Sequence, residues 1–497
     1  MKLVMLFLIL IPALSGALLP FLRLKRRGMC LYTGLILGIS AILSCVLLFS
    51  KEDGGFTLFY ITDILKVTLR ADAVSRVFLA VAAIGFLLAG VYAFRYTDME
   101  EKEGSFKEST FYSFYLLSLA ALFGMDLSAN LVGMYFFFEM ITLLSMPLVL
   151  FERSPEAIGA ALKYLFYSIA GAFLALAAIF TLGALCDSLD FTPGGFLSSE
   201  IMAEHRTLVL VMGFLGILGF SAKAGMYPLH GWLPSAHPVA PSPASAVLSG
   251  IIAKAGVLAI IRLLFYAIGP AALSGTWVQT VLLVLSLLTV FMGSMMAYRE
   301  KNLKKRLAYS SVSQISYVLF GLFLMTADGF TGALLQVLSH AAAKITLFLA
   351  AGSFIYHGIG RSVEDLRGIG RKMPLTMIAF TSASLSLVGI PPFAGFISKW
   401  FLAEGALKSG LFILNWAGPA VLLVSALLTA GYLFPVITQG FFPGKDFKAE
   451  KKAEGGLLML IPLLVLAVLS LLVGLFGGAL TGAFRGITDA IFAGGAL

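Results

Sequence analysis

Five lysines, Lys163, Lys223, Lys254, Lys344 and Lys399, lie inside stretches that otherwise read as membrane-spanning helices, and one carboxylate, Glu139, joins them. A charge at mid-bilayer costs roughly 2.5–3.5 kcal/mol on insertion scales, so such residues are kept where they line an ion or proton path. Lysine suits proton work. Loss of water favours its neutral form and a nearby carboxylate favours the charged one, so making or breaking a Lys–Glu pair holds or releases a proton. Glu139 stands in the apolar run Tyr135-Phe136-Phe137-Phe138-Glu139-Met140, where an ionised carboxylate needs a partner; Lys223 is the candidate. Lys254 lies in SGIIAKAG, Ser249–Gly256, whose small side chains leave room for water or close packing. His340 and Lys344 are four apart and share a helix face. A histidine there either relays protons near neutral pH or hydrogen-bonds a neighbouring helix. His230, His237 and His357 fall near span ends and are expected to be loop or capping residues, and Arg262 a snorkelling or structural charge.

These residues need helices to hold them, and two of the helices are expected to be interrupted. One span runs through Ser221-Ala222-Lys223 and then meets Pro228, Gly231 and Pro234; another contains Gly389-Ile390-Pro391-Pro392, with Lys399 seven residues after Pro392. Proline removes a backbone donor and clashes with the preceding turn, and unwound backbone at membrane depth is tolerated only against protein or a hydrated cavity. A lysine beside each break is therefore where water could reach a titratable group. The chain also echoes itself. Ala160–Phe173 reads AALKYLFYSIAGAF and Ala341–Phe354 reads AAAKITLFLAAGSF, matching at six of fourteen positions, Lys163 with Lys344 among them. The copies fall in the sixth and eleventh expected spans, and an odd offset turns the second upside down, as in the inverted repeats of many transporters.

Composition agrees with a membrane protein. Hydrophobic residues make up 59% and charged residues 12% of the 497 positions, with a mean hydropathy of +0.97. About fourteen apolar runs of spanning length are expected, the first from about Leu3 to Leu22 and read as a retained span. Most of the 35 Lys and Arg fall in loops assigned to the cytoplasmic side, including 23–27, 299–306, 361–372 and 445–452, so the net charge of +9 reads as a topology signal and not a nucleic-acid footprint. The even span count places both termini outside. Gly54–Asp72 alternates in a way that suits a small outer hairpin, and Lys445–Glu454 reads as a charged cytoplasmic linker. Cys30, Cys45 and Cys186 show no CxxC spacing, and neither HExxH nor a phosphate-binding glycine loop is present. No catalytic, cofactor-binding or metal residues are assigned, and no redox cofactor is expected.

The motifs resemble the proton-conducting antiporter-like subunits shared by respiratory complex I, Mrp cation/proton antiporters and membrane-bound hydrogenases. The likeness covers most of the chain and rests on FFFEM at 136–140, SAKAGMYPLHGWLPSAHPVAPSPASAVLSGIIAKAG at 221–256, LAYSSVSQISY at 307–317, HAAAKITLFLAAGS at 340–353 and GIPPFAGFISKW at 389–400. The resemblance implies an all-α integral membrane fold of about fourteen helices with two inverted five-helix repeats. Residues 1–109 would form a three-helix segment with the hairpin, 110–275 and 276–440 the repeats, and 441–497 the linker and last helix. Glu139 and Lys223 match the family's Glu–Lys pair, Lys254 the lysine of the following helix, His340 and Lys344 the central relay. Lys399 matches the charged residue of the second broken helix; lysine there looks like the Mrp D-subunit side of the family. The extended lateral helix of the longest members is not expected here, and Asn302 stands where many members carry an aspartate.

The implied function is proton translocation in the cell membrane through Glu139, Lys223, Lys254, His340, Lys344 and Lys399, with Pro228, Pro391 and Pro392 breaking the helices. It would be coupled to redox chemistry or cation exchange in partners: a sibling antiporter-like subunit and a small three-helix subunit. Two alternatives compete. A stand-alone carrier of a small solute needs a mid-membrane cavity with mixed polar groups, whereas this chain offers a file of lysines. A non-conducting structural subunit predicts that neutralising those lysines leaves turnover unchanged.

Overall fold

A computed structural model of the chain describes residues 1–50, 54–62, 65–99, 107–444 and 453–493. The chain is mostly helical. In order, the elements are α1 (Lys2–Leu18), α2 (Arg26–Phe49), β1 (Phe56–Tyr60), β2 (Lys66–Leu69), α3 (Ala73–Tyr96), α4 (Glu108–Asp126), α5 (Leu131–Val149), α6 (Pro155–Leu185), α7 (Ser199–Ala224), α8 (Leu233–Val239) and α9 (Ser242–Val247). There follow α10 (Ala253–Ile261), α11 (Pro270–Leu273), α12 (Trp277–Arg299), α13 (Leu303–Phe323), α14 (Ala327–Tyr356), α15 (Ile369–Lys372), α16 (Pro374–Val388), α17 (Ala394–Lys408), α18 (Leu414–Phe441), α19 (Leu457–Leu475) and α20 (Gly477–Ala493). Polar caps set several starts: Asp72, Asn130, Ser154, Ser198 and Thr326 each accept a hydrogen bond from the backbone N–H three residues on.

Among the described residues, ten helical stretches are long and apolar enough to cross a membrane. Two further helices, α4 and α13, run for 19 and 21 residues; α13 carries Ser310, Ser311, Ser313 and Ser316 on buried faces, which lowers its hydropathy without exposing it. The expected hairpin is present, with β1 antiparallel to β2 in the register Phe56 opposite Leu69 and Tyr60 opposite Lys66. Residues 445–452 of the expected linker lie outside the described residues. Its end is tied down, since Glu454 accepts from the Leu375 N–H at 2.7 Å and the Thr376 hydroxyl at 2.6 Å.

The stretch Ser242–Ile268, through α9 and α10, is buried along its length. Two π turns, Leu248–Ile252 and Arg262–Ile268, flank α10. The long α14 is packed by α3, α9, α13, α16, α17, α19 and α20. Close backbone approach makes this kind of packing possible: a Cβ on Gly256 would lie 2.6 Å from the Ala224 nitrogen, and one on Gly171 2.6 Å from the Ala222 Cβ. Small residues at such crossings are how membrane helices gain contact. The sequence does not announce α20, an amphipathic helix that turns Phe484, Ile487 and Ile491 inward and packs against α14 and α19.

Candidate functional site

The first break lies where the sequence places it. Gly225, in the left-handed region at φ 85°, ends α7 as its C-cap, and an irregular turn containing Pro228 leads into α8. Lys223, in the last turn of α7, is buried. Its Nζ donates to the Thr142 hydroxyl at 2.6 Å and lies 4.7 Å from the centre of the Phe138 ring. The expected direct pair with Glu139 is therefore not closed. Thr142 stands one turn along α5 from Glu139, on the more buried side, and takes the ammonium's bond. Among the described residues Glu139 Oε1 has no hydrogen-bond partner, although the charges of Glu139 and Lys223 act on each other. Phe136 and Leu143, which flank Glu139 on its face of α5, are exposed, so the carboxylate sits at the lateral edge of the chain.

The centre is built by α10 and α14. Lys254 Nζ lies 2.5 Å from His340 Nδ1 and donates to the Ser249 carbonyl at 2.6 Å. That carbonyl belongs to the π turn, where the helical ladder is locally altered. Lys344 Nζ donates to the Leu307 carbonyl at 3.0 Å. Lys254, His340 and Lys344 are all buried.

His237 corrects the sequence reading. It is not a loop or capping residue: α8 and α9 fold inward, so its ring is fully buried, 4.7 Å from the Phe348 ring centre. Neither ring nitrogen has a hydrogen-bond partner among the described residues, and Lys254, Lys304 and Lys344 all act on it electrostatically. Lys304, counted with the cytoplasmic loop charges, is also buried and donates to the Ala240 carbonyl. A signal for His237 was available, since no Asp, Glu, Lys or Arg occurs from 226 to 253, a polarity expected of buried chain.

The second break repeats the design of the first. Gly389, at φ 92°, ends α16, and α17 starts at Ala394. Lys399 reaches back from α17 to the exposed end of α16, donating to the carbonyls of Leu387 at 2.5 Å and Val388 at 2.8 Å. Those carbonyls have no partners within the helix, and the negative end of the helix dipole favours a cation there. A chain of neutral groups links this lysine's helix to the centre. Ser398 donates to Gln336 Oε1 at 2.5 Å and Gln336 Nε2 to Gln314 Oε1 at 2.9 Å, with Gln336 one turn before His340 on α14.

Two other charges of the apolar helices have defined partners. Lys163 donates to the Ser235 hydroxyl of α8 at 3.0 Å. Arg262 does not snorkel: its side chain is 1% exposed and bidentate to Asp72, at 2.6 and 2.8 Å. Asn302 caps α13 by accepting from the Lys305 N–H at 3.1 Å, and the Lys305 ammonium pairs with Glu300 at 2.9 Å. Glu139 thus lies at the lateral edge, Lys223 beside the first break, Lys254 against His340, and Lys399 beside the second break.

The family model NADH:quinone oxidoreductase/Mrp antiporter, TM, matches residues 128–429, a stretch that contains Glu139, Lys223, Lys254, His340, Lys344 and Lys399. The chain is 35% identical over 422 residues to NADH-quinone oxidoreductase subunit N of Desulforudis audaxviator, covering 82% of each. It is 28% identical to the D-subunit of the Na(+)/H(+) antiporter of Bacillus subtilis, over 94% of this chain and 92% of the relative. In fold it is similar to a chain of the membrane-bound sulfane sulfur reductase, an archaeal respiratory membrane complex, with a TM-score of 0.86 and 24% identity over 98% of this chain and 97% of that one. The chain belongs to the transmembrane antiporter-like family shared by NADH:quinone oxidoreductases and Mrp antiporters.

Proposed function

We propose that this chain is a proton-translocating subunit of a multi-subunit membrane complex, moving protons along Glu139, Lys223, Lys254, His340, Lys344 and Lys399. The observation that carries the reading is the buried contact between Lys254 and His340, two titratable groups 86 residues apart in the chain, brought together at the centre of an apolar fold. Their placement supports direct exchange of a proton between imidazole and amine. Oxidoreduction or cation exchange belongs to partner subunits, a sibling antiporter-like subunit and a small three-helix subunit among them, and drives the protonation steps. Homology to subunits of complexes of both kinds supports this. The two breaks, each with a left-handed glycine ending the helix before it and a buried or carbonyl-bound lysine close by, support two inverted five-helix repeats, 110–275 and 276–440, within about fourteen spans. Residues 1–109 and 441–497 flank them, and both termini face outward from the cell membrane. The exposed flanks of Glu139 give a sibling subunit a surface beside a titratable group.

The test is proton uptake into vesicles holding the verified, assembled complex. Glu139→Gln and Lys254→Ala should each lower the rate at least about tenfold, a barrier increase of about 1.4 kcal/mol, while assembly is kept. Wild-type rates in both variants would sink the reading and leave the non-conducting structural subunit in its place.

A further inference from the structure

The proposed file does not use Asp126, yet this carboxylate is among the most deeply buried charges of the fold. It is the last residue of α4, 3% exposed, and its Oδ2 has no hydrogen-bond partner among the described residues. The segment after it is tied to the hairpin: the Arg70 N–H donates to the Leu127 carbonyl at 2.7 Å and the Ala129 N–H to the Thr68 carbonyl at 2.8 Å. Asp126 thus lies between the core and the end of the molecule that carries β1 and β2.

Arg262 is bound to another acid, Asp72, in the same region. It stands eight residues after Lys254, roughly 12 Å along the helix, at the start of the second π turn. Its two terminal nitrogens are bound to Asp72, and one also to Ser75 at 2.9 Å, while its buried Nε has no partner among the described residues. Arg70 lies 3.9 Å from Asp72, and the Tyr266 ring centre lies 4.6 Å from the guanidinium. The Arg262 charge acts on Asp126, and Arg262 in turn is acted on by both acids. The guanidinium is closed on Asp72, the less buried of the two carboxylates. A buried carboxylate left without a partner does not stay ionised.

We infer that Asp126 is a further proton-carrying site, exchanging protons between the Lys254–His340 centre and the hairpin end, with Arg262 alternating between Asp72 and Asp126. On loading, the Asp126 carboxylate takes one proton from a water on the side of the centre and becomes a neutral acid, while Arg262 rests on Asp72. On release the proton passes to a water on the hairpin side, and the carboxylate left behind draws Arg262. No electron moves and no other bond changes. The π turn suits the swing, because such turns loosen the regular ladder at functional positions.

The inference rests on the proton-translocation reading, and the experiment separates the two. Proton uptake and infrared difference spectra in the carboxylic-acid region are recorded on vesicles with the assembled complex. Asp126→Asn is expected to slow uptake at least about tenfold and to remove one acid band that changes during turnover. Asp126→Glu, which keeps the acid and moves it, should restore most of the rate and shift the pH of half-maximal uptake. Wild-type uptake in Asp126→Asn, alongside an inactive Glu139→Gln, overturns this inference alone; wild-type uptake in both overturns the file as well. An acid band unaltered by Asp126→Asn also overturns it. Should Asp126→Asn not assemble, the Asp126→Glu pH profile decides, and an unshifted profile counts against the site.

Discussion

Lys163 and Lys399 are both lysines of apolar helices, and their surroundings differ where it matters for charge. Lys399 is held by two carbonyls at the end of a broken helix, with the ring of Tyr317 at 5.1 Å. Among the described residues no carboxylate pairs with it, and the break gives its ammonium a polar, rearrangeable site. Lys163 has one hydroxyl partner, Ser235, and an exposed side chain. We expect Lys399→Ala to reduce proton uptake at least about tenfold and Lys163→Ala to have a milder effect, with Lys344→Ala behaving like Lys399→Ala because Lys344 is buried on its single carbonyl. The check is uptake into vesicles at matched expression and assembly. Equal inactivity of Lys163→Ala and Lys399→Ala would place Lys163 in the file.

At the scale of elements, the position of Lys223 depends on how closely α6 and α7 approach. Gly171 of α6 and Gly219 of α7 face each other, and a Cβ on Gly219 would meet the Ala175 nitrogen at 2.8 Å and the Leu174 Cβ at 3.1 Å. The obstacle is helix backbone, which does not step aside as a flexible side chain would. Gly219→Val should therefore cost about 1–3 kcal/mol of stability and draw Lys223, one turn on, away from Thr142. Gly159, also on α6, has open space where a Cβ would stand, with nothing within 4 Å, so Gly159→Ala should leave the thermal midpoint unchanged or raised. Thermal unfolding of the purified complex compares the two. An unaltered midpoint in Gly219→Val would mean that the helices do not need this contact.

For the whole molecule, the inverted-repeat proposal requires the hairpin and the charged linker to lie on opposite sides of the membrane. Cysteines introduced singly at Thr57 and within 445–454, in a chain whose Cys30, Cys45 and Cys186 are replaced by serine, should react with an impermeant reagent from opposite faces. In the proposed topology the linker faces the cytoplasm, the side expected from the loop charge bias. Reaction of both from one face would change the span parity, and the inverted relation between the two repeats would fall with it.

Much of this protein was legible in local sequence. Hydropathy showed a membrane fold, and the glycines and prolines of 225–228 and 389–392 marked both helix breaks, because transfer from water and backbone restriction act on each residue where it stands. The alternation in Gly54–Asp72 showed the hairpin for the same reason. Partnership was not legible. Thr142 rather than Glu139 takes the bond from Lys223, His237 turns inward, and Arg262 closes on Asp72 from 190 residues away. A sequence shows that a buried charge needs a partner, but which group meets it is decided by helices that approach through small residues and fix each side chain's neighbours. Tertiary packing alone brought Lys254 to His340 and left Asp126 beside a guanidinium already bound elsewhere.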